Sequence, residues 1–134
     1  MIGAPTVESF PELDDFLAGC AMGQLRIPRC FRCERFSWPP RPRCRHCMYT
    51  ALESVPVSPL GQLYSWTVVH RTRDPGFTAR TPYAVVIVAL AADHGTRLVG
   101  PFTGPPGRLS MGMSLQAVFD TGAGTVLPAW GEVS

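Results

Sequence analysis

Four cysteines in the stretch PRCFRCERFSWPPRPRCRHC, residues 28–47, are the side chains best placed to do chemistry. Cys30 and Cys33 form one Cys-x-x-Cys pair, Cys44 and Cys47 form a second, and ten residues separate the pairs. Two intervening residues let one tight turn aim both sulfurs at a single ion, and two facing turns complete a tetrahedron of thiolates. A closed tetrahedron leaves no coordination position for water or substrate, so the expected role is structural. One Zn2+ is the expected occupant, with iron in a redox site as the competitor. His46, inside the second knuckle, is an alternative ligand. The fifth cysteine, Cys20, lies on an apolar stripe. Its expected role is a small buried hydrophobe, against a reactive or fifth-ligand role.

Such turns need elements to carry them. Residues 9–25 read as one short amphipathic helix. Ser9 and Glu12 have capping-box spacing, and Asp14 and Asp15 add negative charge to the first turns. Leu13, Phe16, Leu17 and Cys20 make the apolar stripe, and Gly23 is the stop. Residues 26–57 hold the cysteine pairs and their flanks.

From about residue 60 the pattern becomes β. GQLYSWTVVHR (61–71) is rich in aromatic and β-branched residues, and PYAVVIVAL (82–90) is a continuous apolar run expected to be buried on both faces. ADHGT (92–96) is a turn in which Gly95 is free to take positive φ. RLVGPF (97–102), MSLQAVFD (113–120) and VLPAW (126–130) complete five strands, with one helical turn expected at 106–110 and Pro128 at an edge or bulge. Five short strands with Gly and Pro at the corners fit a small closed antiparallel barrel of the OB type. The expected fold is therefore mainly β: a helical segment (1–25), a four-cysteine zinc ribbon (26–57) and a five-stranded OB-fold barrel (58–134).

Composition bounds the rest. The chain has 134 residues, 46% hydrophobic and 16% charged, enough for a packed core. Net charge is +2, and all twelve basic residues are arginine. Residues 26–47 hold seven arginines and one glutamate, a local net +6, whereas residues 60–134 hold five arginines and four acids, a net +1. The start, MIGAPTVESF, lacks the basic and apolar pattern of a secretory signal, and no apolar run reaches membrane-spanning length. A cytoplasmic, reducing location is expected, where paired cysteines read as metal ligands.

The order of these features is specific. The two knuckles joined by Trp38-Pro39-Pro40-Arg41, then Gly61 and Tyr64-Ser65-Trp66-Thr67, then PYAVVIVAL, LVGPF, LSMGMSLQAVFD and VLPAW resemble the zinc-ribbon OB-fold proteins that accompany thiolase-superfamily enzymes. The resemblance runs from about Phe10 to Trp130. It implies a rubredoxin-like ribbon followed by an OB-fold, with Cys30, Cys33, Cys44 and Cys47 as ligands of one structural zinc. It also implies a non-catalytic accessory subunit in a hetero-oligomer, two plus two being one arrangement. The partner is a thiolase, a thiolase-like lipid-transfer-protein aldolase of steroid breakdown, or an acyltransferase, and the small subunit helps shape its acyl-CoA path. Where the family usually has a glycine after the first knuckle this chain has Glu34-Arg35, and Met48 follows the second.

Other functions fit less well. An OB-fold that binds single-stranded nucleic acid is the alternative. It would use the basic patch, and Tyr64 and Trp66 as a stacking pair on one strand face, against a core role for both. The near-neutral barrel segment argues against it, because a single-strand groove needs a charged track. Enzymatic activity of the chain itself lacks a nucleophile with a base: His46, His70 and His94 are scattered, and no carboxylate pair or phosphate loop is present. Candidate contacts to partner or acyl-CoA are Trp38 and Arg41 on the link between knuckles, and Arg71, Arg73, Phe77 and Arg80 on the loop RTRDPGFTARTP (71–82). The competing roles are a cap over the metal for Trp38 and an idle surface loop for the rest.

Overall fold

The computed structural model describes residues 11–120 and 126–133. Ser9 lies outside them, and the expected capping box with it. Glu12 sits in a 3-10 turn, Pro11–Leu13, that runs into helix α1, Asp14–Ala21. Asp14 and Asp15 occupy the first turn of α1, where the exposed N–H groups favour negative charge. Phe16 and Cys20 are buried, and Leu13 and Leu17 pack partly against the core. The expected stripe is thus the inner face. The helix stops at Ala21, well short of residue 25. Gly23 takes φ of 75°, and the N–H groups of Gly23 and Gln24 close onto the carbonyls of Cys20 and Gly19 at 3.0 and 2.8 Å. That is a glycine stop in the left-handed region, open to Gly without a Cβ penalty.

Strand β1, Leu25–Cys30, pairs antiparallel with β2, Leu52–Val57, Leu25 opposite Val57 and Cys30 opposite Leu52. Residues 31–51 hang from this hairpin and carry both knuckles. The second sheet has β3 (Leu60–Val69), β4 (Tyr83–Leu90), β5 (Arg97–Pro101), β6 (Ser114–Phe119) and β7 (Pro128–Glu132) in the order β5-β4-β3-β6-β7, every neighbour antiparallel. A single helical turn, α2 (Pro75–Thr78), lies between β3 and β4, and a 3-10 turn at Pro106–Arg108 lies between β5 and β6. Gly95 keeps an ordinary φ; its turn closes through Thr96, whose hydroxyl donates to Asp93 at 2.7 Å.

The barrel expected from strand number is not closed. The outer strands β5 and β7 meet through one isolated parallel bridge, Phe102 to Trp130, with the Thr103 N–H on the Trp130 carbonyl at 2.9 Å. Pro101 and Pro128 supply the reason, because neither has an N–H to extend a ladder there. Pro128 duly begins an outer strand. The two strands still approach closely: a Cβ on Gly100 would lie 2.7 Å from the Pro128 carbonyl oxygen.

β4 is buried on one face rather than two. Ala84, Val86, Val88 and Leu90 are buried, while on the other face Tyr83, Val85 and Ile87 are half-buried and Ala89 at the end is covered. An antiparallel sheet with one solvated face explains the alternation. In β3 the register slips by one residue between Leu63 and Ser65. Leu63 pairs with buried Val88, then Trp66 pairs with buried Val86. The bulge flips the alternation, so Tyr64 and Trp66 do not share a face. Trp66 packs on the core, whereas Tyr64 is 48% exposed beneath the Arg97 guanidinium, 3.9 Å above its ring. The stacking pair of the nucleic-acid alternative does not exist, and of the core role expected for both residues Trp66 takes its share while Tyr64 does not.

One apolar cluster runs through the molecule. Phe16 and Cys20 of α1, Leu25 and Ile27 of β1, and Leu63, Val86, Leu98, Leu115 and Trp130 of the five-stranded sheet all belong to it. Fully burying a Leu, Val or Phe side chain stabilises by roughly 1.5–3 kcal/mol. The helix and the ribbon base are therefore held by the same apolar burial as the sheet. Among the described residues no helix is long and apolar enough to cross a membrane.

Candidate metal centre

The two knuckles repeat one backbone design. In the first, the Cys30 N–H donates to the Arg35 carbonyl at 3.0 Å and the Glu34 N–H to the Cys30 carbonyl at 3.1 Å. In the second, the Cys44 N–H donates to Tyr49 at 2.8 Å and the Met48 N–H to Cys44 at 3.0 Å. Each turn points N–H groups at its leading sulfur. Arg32 and Cys33 donate to Cys30 Sγ at 3.3 and 3.5 Å, and His46 donates to Cys44 Sγ at 3.3 Å. Closing each turn sends the next residue into the left-handed region: Glu34 has φ of 63° and Met48 of 64°. Both carry a side chain at a φ that favours glycine.

The turns bring all four sulfurs within 4.8 Å of one another, with Cys30–Cys47 and Cys33–Cys44 at 3.6 Å. A tetrahedron with metal–sulfur bonds of about 2.3 Å has edges of about 3.8 Å, so the sulfurs stand where a zinc-sized ion needs them. Cys30 and Cys44 are buried and Cys33 and Cys47 half-buried.

The proton affinities also suit a cation. Burial pushes the Cys44 thiol up, but the N–H groups of Cys47 and His46, the Cys33 thiol and the Ser37 hydroxyl outweigh it and bring it down to about 6. At Cys30 burial is likewise outweighed, by the N–H groups of Cys33 and Arg32 and by the thiols of Cys47 and Cys33, and the thiol is lowered. Cys33 receives the Arg35 N–H, which lowers it, yet burial and its three sulfur neighbours raise it to about 11. Two thiols are lowered and a neighbour is raised, as expected where negative charges would crowd one another. Cys20 stands apart, and burial pushes its thiol up to about 11. It is a core residue, as its stripe position suggested.

The remaining sequence candidates fall on separate elements. His46 Nε2 lies 3.1 Å from the Phe36 carbonyl, so its ring is engaged with the link between knuckles. Trp38 is half-buried, its ring centroid 4.8 Å from that of Phe16. It braces α1 against the ribbon rather than standing free. Arg41 is exposed at the mouth of a cavity of about 200 Å³ beside Asp15, Pro40 and Leu52. Arg71, Arg73 and Arg80 are exposed around α2, where Asp74 accepts from the Gly76 N–H at 2.8 Å and orders the turn. Phe77 belongs to α2, and its side chain lies outside the described residues. Among the described residues no guanidinium hydrogen-bonds to a cysteine sulfur; backbone N–H groups stabilise the thiolates instead.

Sequence reasoning missed Ser37. It is 1% exposed, donates to the Cys44 sulfur, and accepts from the Arg45 N–H at 2.9 Å. A small hydroxyl residue just before Trp38 was the available signal. The fold also places His46 and Asp93 on one groove of about 500 Å³, yet each is bonded elsewhere, to Phe36 and to Thr96.

Residues 17–53 match the family described as the ChsH2 rubredoxin-like zinc ribbon domain, and residues 54–120 match the ChsH2 C-terminal OB-fold domain. The chain belongs to the ChsH2/DUF35 family. Its four-cysteine cluster is thus that of a zinc-ribbon domain, and its five-stranded sheet that of an OB-fold domain.

Two curated relatives are similar to this chain. A Thermomonospora curvata protein named as a probable enoyl-CoA hydratase alpha subunit is 37% identical over 91 residues, 67% of this chain. A DUF35 domain-containing scaffold protein of Methanocaldococcus jannaschii is 31% identical over 93 residues, 68% of this chain. The chain spans 27% of the length of the first and 64% of the second. A chain of the structure described as the Ltp2-ChsH2(DUF35) aldolase superposes with a TM-score of 0.82 at 27% identity, covering 96% of this chain and 98% of that one. A DUF35 protein of unknown function from Sulfolobus solfataricus shares the fold, with a TM-score of 0.67 at 17% identity, over 92% of this ChsH2/DUF35 chain and 86% of its own.

Proposed function

We propose that this ChsH2/DUF35 chain is a non-catalytic subunit. It binds and stabilises a thiolase-superfamily enzyme, of which an Ltp2-type aldolase is the best supported, and helps shape that enzyme's acyl-CoA path. The observation that carries the reading is the end-to-end superposition on a chain of an Ltp2-ChsH2(DUF35) aldolase, 96% of one chain on 98% of the other. A subunit with this fold would take the same place in an assembly. The site chemistry agrees. Four sulfurs in a closed tetrahedron hold an ion without offering it to substrate, and His46, His70 and His94 lie in a knuckle, at the end of β3 and in the β4–β5 turn.

Cys30, Cys33, Cys44 and Cys47 would hold one zinc, which when bound neutralises the crowded thiolates and fixes the knuckles to each other. The chain's own residues do the rest. Ser37 and the knuckle N–H groups orient the sulfurs, β1 and β2 hold the hairpin, and Trp38 with Phe16 ties the ribbon to α1. On this reading Arg71, Arg73 and Arg80, exposed around α2, are contacts to a partner or to the phosphates of coenzyme A. Trp38 and Arg41 are the corresponding contacts on the link.

Co-expression with a thiolase-superfamily aldolase from the same organism tests the proposal. The expected result is co-elution on size exclusion and a higher partner turnover and half-life than without the chain. Separate elution with unchanged turnover would contradict it.

A further inference from the structure

The two knuckles leave an apolar pair uncovered at the tip of the ribbon. Phe31 is 63% exposed and Met48 is 59% exposed, among the most exposed large apolar side chains described. They stand at the same end of the hairpin. The Phe31 N–H donates to the Ala51 carbonyl at 3.1 Å, the sulfurs of the preceding residues Cys30 and Cys47 are 3.6 Å apart, and Arg32 reaches across to lie 4.3 Å above the Tyr49 ring. Around them the arginines are held in place. Arg29 Nε donates to the Glu34 carbonyl at 3.0 Å and Arg43 donates to the Met48 carbonyl at 3.4 Å. These bonds fix the stems and leave further guanidinium N–H groups facing outward.

The charge at this end meets no ion-pair partner among the described residues. Residues 29–47 hold six arginines and one glutamate, a net +5, and a zinc tetrathiolate of net −2 would leave about +3. Among the described residues none of these arginines forms an ion pair with a carboxylate; the ion pair described, Arg108 with Glu132, lies far along the chain at 3.0 Å.

We propose that the ribbon tip, Phe31 and Met48 framed by Arg29, Arg32 and Arg43, is the docking surface that enters an apolar pocket ringed by carboxylates on the partner protein. This deepens the reading of the chain as a partner subunit and rests on it. Apolar anchors inside a frame of ordered arginines have the anatomy of a protein hot spot. A polynucleotide would ask instead for cations spaced along a track with flat rings to stack bases. Here the cations circle a knuckle, and one of the two anchors is a methionine.

The test is titration of the purified thiolase-superfamily aldolase with the zinc-loaded chain at two salt concentrations. Zinc content and thermal unfolding confirm that each variant is folded. Phe31→Ser with Met48→Ser is expected to weaken binding by on the order of 30-fold or more. Arg32→Glu with Arg43→Glu is expected to weaken it and to flatten its salt dependence. Arg71→Glu with Arg73→Glu, on the α2 loop, should weaken it far less. Tip variants that bind within threefold of the natural chain, or loop variants that lose more than tip variants, would overturn the tip assignment while leaving the partner-subunit reading intact. Failure of the natural chain to bind the aldolase at all would overturn that reading itself. Retained affinity for a single-stranded oligonucleotide in place of the aldolase, lost on the same tip substitutions, would also refute the assignment.

Discussion

Glu34 and Met48 carry the clearest cost in the ribbon. Both stand in the left-handed region with a Cβ, one residue after each second knuckle cysteine. Such a conformation costs a non-glycine residue roughly 1–2 kcal/mol. Glycine relieves that strain, and the greater freedom it gives the unfolded chain offsets part of the gain. Met48→Gly or Glu34→Gly is therefore expected to stabilise the metal-loaded chain by up to ~1 kcal/mol, and Met48→Val to destabilise it by ~1–2 kcal/mol. Thermal unfolding of the loaded protein reads both; glycine variants that melt lower would refute the strain argument.

Cys20 makes a second prediction at this scale. Burial raises its thiol from 9.0 to about 11, so the folded state holds the proton that the unfolded chain gives up sooner. Its contribution to stability is full below about pH 9 and is lost as pH rises through about 11. Denaturant unfolding across that window should show a decline for the natural chain that is shallower for Cys20→Ala. Equal slopes would show that the thiol does not titrate in the folded core.

At the scale of elements, most of the architecture was legible because its signals are local. Cysteine spacing announced the knuckles, and the strands came from β-branched runs bounded by Gly and Pro. What failed was non-local. The bulge at Tyr64 depends on pairing with β4, and it alone decides that Tyr64 faces solvent while Trp66 faces the core. The open edge depends on where Pro101 and Pro128 fall along the two outer strands. Helix α1 ends early because the chain must turn at Gly23 to start β1. Of the candidate contacts, Trp38 was ambiguous in sequence because only the fold brings Phe16 beneath it. Ser37 was missed because its partners, Cys44 and Arg45, lie across the hairpin turn.

The β5–β7 edge gives an element-scale test. Gly100 admits no Cβ, since the Pro128 carbonyl oxygen would stand 2.7 Å away and the Trp130 ring 3.2 Å. Neither main chain nor a fully buried indole yields readily, so Gly100→Ala should destabilise by ~1–3 kcal/mol. Denaturant melts monitored by tryptophan fluorescence would show it. A variant as stable as the parent would mean that the two strands are looser than described. The ribbon offers the complementary test. Cys44→Ser, or removal of metal by a chelator, should strip amide-exchange protection from residues 31–51. Protection in β3 and β4 should persist, and uniform loss across both sheets would show that ribbon and sheet unfold as one unit.

For the whole molecule, charge and catalytic chemistry are separated. The basic residues concentrate on the ribbon, the five-stranded sheet segment is near neutral, and the chain's metal-ligand cluster is closed. A molecule so arranged is suited to dock and to hold shape, and the proposed function assigns the acyl chemistry to its partner. Native mass measurement of the chain co-expressed with a thiolase-superfamily aldolase tests this most directly, since one spectrum reports partner, stoichiometry and metal together. The account predicts a hetero-oligomer of aldolase and this chain with one zinc per copy of the chain. A free 14.6 kDa chain beside an aldolase that is equally stable and active alone would contradict it.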